Sequence, residues 1–457
     1  MSFTSERPNF LLILTDQHFA EMIGSLQPGS GLRTPHLDRL RQRGVCFESA
    51  YATHALCVPS RSSIFTGRYP HEIGVDFNQN PTPNRIRVPM LGRCLSDAGY
   101  ECGLAGKWQL AVPTEEAEVH GFSFLHQGKD TEVLSGCRDF WDQLKEDRPF
   151  CLVAAYDNPH DICEFARMEG GIEDRLPNGE IGMPPENADE LPPLRANHAE
   201  AADEPPALKK WKTNPWELPW LTRIYPAAAY TEINWRRYLW AYHRLVEKVD
   251  AAIGQLLAEL DARGLTDNTI ILFSSDHGDG LGSHKWTQKI AFYEEVSRVP
   301  FWLCGPGIPA GASREGPISI GLDILPTVLE YAGVQNPADL PGRSVKALVE
   351  ESVGAPWRDH VVLEAEFGGW GPQQQTGIQG RCVRGTTYKY ICYFDPEAPG
   401  EAANEQLFHL PTDPGETRNL LQEPVHRAAL ERHRALLSAH LQSSGDRRWR
   451  ATVSKVV

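Results

Sequence analysis

The sequence contains no long hydrophobic run. Nowhere do eighteen apolar residues stand together, which is about the least that a membrane-spanning helix needs. The apolar stretch of residues 9–15 is also too short for the hydrophobic part of an export signal. We therefore expect neither a membrane span nor export. Internal repeats and low-complexity tracts are missing as well.

Positive charge is scarce. The chain has 45 lysines and arginines against 60 aspartates and glutamates, for a formal net charge of −15. So acidic a chain is a poor partner for nucleic acid, because that binding depends on basic residues contacting phosphates. An anionic substrate must therefore be attracted by a local cluster of basic residues.

The cysteines have no regular spacing. There are ten of them in 457 residues, too sparse and irregular for a disulfide framework. Reduced thiols are the simpler interpretation, which predicts a cytoplasmic protein.

Most of the chain alternates short apolar runs with helical stretches, which is typical of α/β proteins. We predict a large, mostly parallel sheet sandwiched by helices, with strands at residues 10–15, 100–105, 150–155 and 269–274. The first strand is apolar on both sides, which favours a place near the middle of the sheet. Apolar residues at helical spacing predict a long helix over residues 233–263, closed by Gly264.

The length indicates two domains. We predict a catalytic domain at residues 1–355 and a small C-terminal α+β subdomain at residues 356–457. The strands of its antiparallel sheet are predicted at residues 360–364, 381–385 and 388–394, with a closing helix over residues 425–441.

Polar groups follow four of the predicted strands. They are Asp16 with Gln17, then Lys107, His160, and Asp276 with His277. In open α/β sheets, ligands bind beyond the carboxyl ends of the strands. One such residue alone would be unremarkable, since an aspartate there is commonly a helix cap. Four together predict a site at one edge of the sheet.

A fifth contribution comes from the segment Cys57-Val58-Pro59-Ser60-Arg61. Pro59 suits the first turn of a helix, so Cys57 is expected just ahead of a helix N-terminus. Free backbone N–H groups and the helix dipole favour an anion there, and Arg61 adds a fork of donors. The alternative is a buried, inert cysteine beside an ordinary turn.

This segment, followed by Thr66-Gly67-Arg68, resembles the formylglycine signature of type I sulfatases in the alkaline-phosphatase-like superfamily. Further segments are similar to those of the family in the same order between residues 9 and 420: Gly106-Lys107-Trp108, residues 158–161, residues 275–279, residues 281–284, Lys289, residues 298–300 and residues 407–420.

The resemblance implies that Cys57 is a precursor. A formylglycine-generating enzyme would oxidise it to an aldehyde, whose hydrate carries two hydroxyls on one carbon. One hydroxyl attacks the sulfur of a sulfate ester, and the other expels the sulfate as the aldehyde re-forms. The implied partners are thus the modifying enzyme and a small anionic sulfate ester, while the oligomeric state is left open.

The resemblance also implies one divalent cation. Its expected ligands are Asp16, modified Cys57, Asp276 and His277, with Gln17 as a further candidate. Many family members have an aspartate pair at the first position and Asp-Asn at the second. Calcium is favoured, because oxygen-rich sites suit it, but an imidazole also admits manganese, and magnesium is a further option.

Two departures bear on the reaction. The combination of Asp-Gln with Asp-His resembles the phosphonate monoester hydrolase branch, which keeps a phosphonate or phosphodiester hydrolase as the alternative. Gln109 stands where the family usually has a histidine, and an amide cannot act as a base. Lys107 and Lys289 are expected to hold the sulfate oxygens, and His160 to protonate the leaving oxygen.

Residues 165–232 interrupt the α/β pattern as a predicted insertion over the substrate pocket. Prolines are dense there, and the aromatics are Trp211, Trp216, Trp220 and Tyr225. These aromatics serve either core packing or sugar stacking. The expected substrate-binding residues are Asn78, Gln109, Asp161, Glu164 and His284, and the expected substrate is a small sulfated carbohydrate. A second alternative is an inactive anion-binding relative, against which the retained Cys57 and Arg61 argue.

Overall fold

The computed structural model describes residues 7–78, 86–145, 148–201, 203–212, 226–351, 357–368, 375–395 and 404–446. Trp216, Trp220 and Tyr225 of the predicted insertion lie outside these residues. In the described part of the chain, no helix combines the length and the apolar character that crossing a membrane requires.

The strands form one large sheet, one small C-terminal sheet and a two-stranded pair. They are β1 (Asn9–Asp16), β2 (Val45–Phe47), β3 (Ala50–Tyr51), β4 (Glu101–Gly106), β5 (Phe124–His126), β6 (Phe150–Pro159), β7 (Thr269–Ser275), β8 (Phe301–Cys304), β9 (Ala312–Arg314), β10 (Ile318–Ser319), β11 (His360–Gly368), β12 (Gln375–Gly385), β13 (Tyr388–Phe394) and β14 (Glu405–His409).

The large sheet has eight strands in the order β5-β4-β6-β1-β7-β8-β2-β9. The first five strands in this order, β5, β4, β6, β1 and β7, are parallel to one another. Strand β8 runs antiparallel to both of its neighbours, β7 and β2. The predicted central place of β1 is confirmed, and its apolar side chains are buried on both faces. The sheet is therefore mixed at one side and parallel where the polar strand ends meet.

Helices cover both faces of this sheet. The described α-helices span Pro35–Gln42, Cys57–Thr66, Pro70–Ile73, Leu91–Asp97, Ala117–His120, Asp130–Asp142, Ile162–Glu169, Pro206–Lys212, Glu232–Ala262, Glu294–Ser297, Ile320–Tyr331, Lys346–Val349 and Arg427–Ser443. One core cluster contains residues of Cys57–Thr66, hereafter the Cys57 helix, and of Ile320–Tyr331. The cluster on the other face contains residues of Glu232–Ala262, the long helix. Gly264, at φ 67°, follows the end of the long helix as predicted.

The small sheet is antiparallel in the order β11-β12-β13-β14. Arg427–Ser443, the C-terminal helix, packs on one face through Leu430, Leu437 and Leu441. The other face packs against the catalytic part of the chain, including Leu56 beside the Cys57 helix. Strand β14 was not among the predicted strands, and it completes the sheet by pairing with β13.

Candidate active site

Two neighbouring strands bring the carboxylates together. Thr15 at the end of β1 pairs with Ser275 at the end of β7, so Asp16 and Asp276 extend from adjacent parallel strands. Asp16, Cys57, Asp276 and His277 each place one potential ligand atom within 4.8 Å of the others, and all four are buried. The convergence predicted from the strand ends is thus present in the fold.

Cys57 is the first residue of its helix, one position further in than expected. The N–H of the next residue, Val58, donates to Oδ1 of Asn78 at 3.1 Å, so Asn78 caps the helix beside Cys57. The sulfur lies 3.3 Å from Nε2 of His277 and receives a hydrogen bond from Nζ of Lys289 at 3.1 Å. Burial, and next the charge of Asp16, raise the pKa of the Cys57 thiol. A neutral thiol is a poor nucleophile, which agrees with a precursor role.

The donor set fits a divalent cation. Oδ2 of Asp276 is buried and has no hydrogen-bond partner, which is costly unless a cation satisfies it. Nδ1 of His277 lies 2.9 Å from the carbonyl of Gly278, an arrangement that leaves Nε2 as the free acceptor toward the cluster. Burial and the nearby charge of Asp16 raise the pKa of Asp276 to about 7. Two carboxylates so close therefore favour binding a cation or a proton.

Lys107 stands between two carboxylates. Its Nζ lies 2.5 Å from Oδ2 of Asp16 and 2.7 Å from Oδ1 of Asp157. Burial would lower the pKa of Lys107, but these two carboxylates outweigh it and hold the pKa well above its ordinary value. Asp157 was not among the predicted site residues, although it directly precedes residues 158–161, which resemble a family segment.

His160 and Lys289 complete the charged cluster. Both lie near enough to Asp16 to influence its ionisation, and burial together with Lys289 holds the pKa of His160 well below its ordinary value. Burial would lower the pKa of Lys289, but the negative charges of the Cys57 and Cys163 sulfurs in their ionised form and of Asp16 outweigh it and raise the pKa. The free protein thus presents two ammonium groups and a neutral imidazole around Cys57.

Arg61 contacts the backbone of the lysine segment and lies close to Asp276. Its Nη2 donates to the carbonyl of Lys107 at 2.6 Å and its Nε to the carbonyl of Trp108 at 3.2 Å. Its Nη1 lies 3.9 Å from Oδ2 of Asp276. Nε and Nη2 therefore position the backbone of the lysine segment, while Nη1 is buried beside Asp276 without a hydrogen-bond partner.

The side chain of Gln17 is likewise engaged away from the predicted ligand role. Its Nε2 donates to Oδ2 of Asp279 at 2.6 Å, and its Oε1 contacts Sγ of Cys163 at 3.5 Å. Its backbone N–H donates to Oδ1 of Asp276 at 3.2 Å. Gln17 thus orients Asp276 through the backbone, because Asp279, which the sequence reasoning did not single out, holds its amide.

Asp161 and His284, both predicted to bind the substrate, are buried. Both carboxylate oxygens of Asp161 accept hydrogen bonds from Asn178, at 2.9 and 2.8 Å, and its side chain is buried. The ring of His284 is buried and stacks on Tyr293 with 4.0 Å between centroids. Asn178 thus occupies the carboxylate of Asp161, whereas both ring nitrogens of His284 are buried without a hydrogen-bond partner.

Glu164 and Gln109 keep unused polar atoms. Oε2 of Glu164 and Oε1 of Gln109 are buried without a hydrogen-bond partner, although each residue is partly exposed. Gln109 also has a φ of 39°, a strained conformation for a residue with a side chain. Each residue therefore keeps one polar atom without a partner in the protein.

The described part of the predicted insertion is anchored to the loop that carries Lys289. Arg195 pairs with Glu295 at 3.2 Å, and Asn197 donates to the same carboxylate at 2.9 Å. The backbone N–H of His284 donates to the carbonyl of Asn197 at 2.7 Å. These contacts hold residues 195–198 against the segment that follows β7.

The Sulfatase family model matches residues 8–334, which is most of the chain. The chain belongs to the sulfatase family. A second model, N-sulphoglucosamine sulphohydrolase, C-terminal, matches residues 282–442. This sulfatase is an enzyme of sulfuric ester hydrolysis, and the resemblance drawn from Cys57 and its companions is confirmed.

Several relatives match over nearly the whole chain. A Δ4,5-hexuronate-2-O-sulfatase of Bacteroides thetaiotaomicron is 30% identical over 473 residues, which cover 96% of this chain and 90% of the relative. An N-acetylglucosamine-6-O-sulfatase of the same organism is 28% identical, with 91% and 83% coverage. Among solved structures, a 2-O GAG sulfatase has a TM-score of 0.79 at 29% identity, with 96% of this chain and 93% of the other covered.

Proposed function

We propose that this sulfatase removes sulfate from a carbohydrate, with a 2-O-sulfated hexuronate as the first candidate substrate. The observation that carries the proposal is the buried cluster of Asp16, Cys57, Asp276 and His277 with Lys289 on the sulfur. Support for a sugar comes from the hexuronate-2-O-sulfatase and N-acetylglucosamine-6-O-sulfatase relatives.

The nucleophile of the proposal is formylglycine at position 57. Asp16, Asp276, His277 and the modified residue would hold one divalent cation, of which calcium is favoured over manganese or magnesium. When bound, this ion supplies positive charge that favours an ionised hydroxyl on residue 57. Nε2 of His277 and the unpartnered Oδ2 of Asp276 support this assignment.

Lys107 and Lys289 are proposed to bind the non-bridging oxygens of the sulfate. Both are buried and charged, and charge that develops there in a transition state is stabilised by preorganised cations. Arg61 and Asp157 support this pair indirectly, because they fix the backbone and the ammonium group of Lys107.

His160 is proposed to protonate the leaving sugar oxygen. In the free protein its imidazole is neutral, since burial and Lys289 lower its pKa. An anionic substrate beside it raises the pKa and favours the protonated form needed for this step. Gln109 cannot take the proton whose removal precedes sulfate release. Once His160 has given its own proton to the sugar, its neutral ring is able to accept that second proton.

The alternative of a phosphonate or phosphodiester hydrolase rests on the Asp-Gln and Asp-His pairs. A phosphonate monoester hydrolase from Silicibacter pomeroyi shares the fold with a TM-score of 0.74, but at 20% identity. That likeness concerns the fold alone. The Gln17 amide is bound to Asp279, which weakens the analogy based on the Gln17 position.

A panel of substrates with one metal-loaded preparation tests the proposal. It contains an unsaturated 2-O-sulfated hexuronate disaccharide, 6-O-sulfated N-acetylglucosamine, choline sulfate and an aryl phosphonate. We expect the highest kcat/KM on the hexuronate. A highest value on the phosphonate contradicts the sulfate assignment, and a highest value on choline sulfate contradicts the carbohydrate assignment.

We also propose a reducing compartment, the cytoplasm, as the place of action. The support is that all ten cysteines are free thiols, most of them buried. Detection of the native protein in fractionated cells of its own host tests this directly, and recovery in a periplasmic or secreted fraction contradicts it.

A further inference from the structure

Asp279 is a fully buried carboxylate close behind the proposed metal site. Its Oδ2 accepts a hydrogen bond from Nε2 of Gln17 at 2.6 Å, and its Oδ1 accepts the backbone N–H of Leu281 at 2.7 Å. The hydroxyl of Tyr238 donates to both oxygens, at 2.9 Å to Oδ1 and 2.8 Å to Oδ2. Buried carboxylates need such donors. These donors come from the end of β1, from the loop after β7 and from the long helix, so Asp279 joins three parts of the fold.

The contact with Gln17 reaches the proposed metal site. Gln17 has a φ of 68°, a left-handed backbone conformation that residues with a side chain rarely adopt. In this conformation its backbone N–H donates to Oδ1 of Asp276 at 3.2 Å. The hydroxyl of Tyr242, also on the long helix, donates to the carbonyl of Gln17 at 2.6 Å. Strained conformations persist only where the surroundings hold them, and here Asp279 holds the side chain while Tyr242 holds the backbone.

The contact with Tyr238 reaches the sulfate side of the site. While it donates to Asp279, the Tyr238 hydroxyl accepts the backbone N–H of Gln288 at 3.3 Å. Gln288 directly precedes Lys289 in the chain and is also left-handed, with a φ of 61°. Nζ of Lys289 in turn donates to Sγ of Cys57 at 3.1 Å. Tyr238 therefore fixes the backbone immediately before a lysine that is proposed to bind sulfate.

We propose that Asp279 and Tyr238 are a pair of positioning residues that fix the metal site relative to the sulfate-binding lysine. The inference rests on the proposed function, because it assigns both residues to that same site. Asp279 acts on the metal site through Gln17. Tyr238 acts on the lysine through Gln288. Tyr238 is buried in a hydrophobic cluster of the long helix, and a packed helix supports a site more precisely than a loop does.

The competing interpretation is that these hydrogen bonds only stabilise the fold, and metal affinity separates the two. The full chain, produced with a formylglycine-generating enzyme and then stripped, is titrated calorimetrically with the ion that supports turnover, Ca²⁺ or Mn²⁺. Asp279→Ala is expected to weaken binding about 10- to 100-fold, as is typical when an outer partner of a metal ligand is lost. Asp279→Asn should retain most of the affinity, because the Gln17 amide can turn over and accept from the new Nδ2 group.

Asp250→Ala is the matched control for this titration. Asp250 is a buried aspartate on the same helix, and its carboxylate accepts the backbone N–H groups of His36 and Leu37 at 3.1 and 2.7 Å. The variant should lose thermal stability and bind the ion as tightly as the unmodified chain. Loss of stability alone therefore does not imitate the expected loss of affinity.

Tyr238→Phe tests the sulfate side. Loss of one hydrogen bond to the backbone of Gln288 is expected to raise KM for nitrophenyl sulfate about fivefold with little change in kcat. The ion affinity should stay nearly unchanged, because Gln17 and Leu281 still hold Asp279. The matched control is Tyr390→Phe, which removes a buried hydroxyl that donates to Glu405 in the C-terminal sheet and should change neither value.

Two results overturn the inference while leaving the proposed function intact. One is an Asp279→Ala variant that binds the ion as tightly as the unmodified chain, and the other is a Tyr238→Phe variant whose KM equals that of Tyr390→Phe. If Asp279→Ala does not fold, Gln17→Leu removes the same contact from its other end, and unchanged affinity there overturns the inference as well. Unmodified chain that neither binds a divalent ion nor hydrolyses nitrophenyl sulfate overturns the proposed function, and this inference with it.

Discussion

Nζ of Lys289 donates a hydrogen bond to Sγ of Cys57 over 3.1 Å, although the two residues are 232 positions apart in the chain. The contact joins the loop after β7 to the first residue of the Cys57 helix. If an oxygen replaces the sulfur at position 57, this ammonium group lies next to that oxygen and next to the sulfate that the oxygen attacks.

Protein produced with a formylglycine-generating enzyme is expected to carry an aldehyde at position 57. Intact-peptide mass spectrometry detects the change, since the thiol and the aldehyde differ in mass. Cys57→Ala should abolish turnover and leave the circular dichroism spectrum unchanged, because Asn78 still caps Val58. Full activity in Cys57→Ala would end the assignment of this residue as the nucleophile.

Removal of the divalent cation should abolish activity, and Asp276→Asn should weaken metal binding strongly by deleting a charge. A turnover assay of the chelator-treated protein measures the first effect, and isothermal titration of the stripped protein with metal measures the second. Asp267→Asn, a surface residue in the turn before β7, serves as the matched control. Turnover that survives exhaustive chelation contradicts the metal assignment.

Metal affinity should also depend on pH. The pKa of Asp276 is raised above its ordinary value to about 7 in the metal-free protein, so a proton occupies the site below pH 7 and must leave when the cation binds. The affinity is therefore expected to fall by up to about tenfold per pH unit below 7 and to level off above it. Titrations between pH 5.5 and 8.5 check this, and equal affinity at both ends is incompatible with it.

His160→Ala should slow sugar sulfates much more than nitrophenyl sulfate. A sugar alcohol needs a proton to leave, whereas nitrophenolate leaves readily as an anion, and a positioned acid contributes about 10² to 10⁴ in rate. Comparison of kcat/KM for the two substrates measures the difference. Equal losses would make His160 a sulfate-binding residue and move the acid role to Lys289.

Asp157→Asn should lower kcat/KM roughly fivefold, because Lys107 loses one of the two carboxylates that hold its ammonium group. The expected effect is modest because the Asp157 side chain is partly exposed, so water weakens its interaction with Lys107. Asp157→Glu should restore most of the activity, while Asp97→Asn, on an exposed helix end, should have no effect. Failure of Glu to restore activity would assign Asp157 a purely local folding role.

Asp161→Ala should destabilise the protein by about 1–3 kcal/mol and leave KM nearly unchanged. The substitution leaves the backbone N–H and the Nδ2 group of Asn178 without their hydrogen-bond acceptors. Glu164→Gln, three residues further on, removes a charge whose Oε2 has no partner and should act on KM instead. Chemical denaturation and steady-state kinetics separate the two variants. A large rise in KM for Asp161→Ala with unchanged stability would show that Asp161 binds the substrate.

The sequence by itself determined the family, the central strand and the chemistry of the strand ends. Those features are local or periodic: an apolar run at residues 10–15, a Cys-x-Pro-Ser-Arg segment, and polar residues after each strand. The rule that parallel strands end at one edge was then enough to bring Asp16 and Asp276 together. The long helix and its closing Gly264 were predictable for the same reason.

Only the tertiary structure decided which polar side chains remain free. Arg61, Gln17 and Asp161 look suited to a ligand in the sequence, but backbone carbonyls, Asp279 and Asn178 engage them in the fold. Those partners lie 46 residues away in the chain for Arg61, 262 for Gln17 and 17 for Asp161, so no local pattern reveals them. A buried polar group must find a partner, and the identity of that partner is a property of packing in three dimensions.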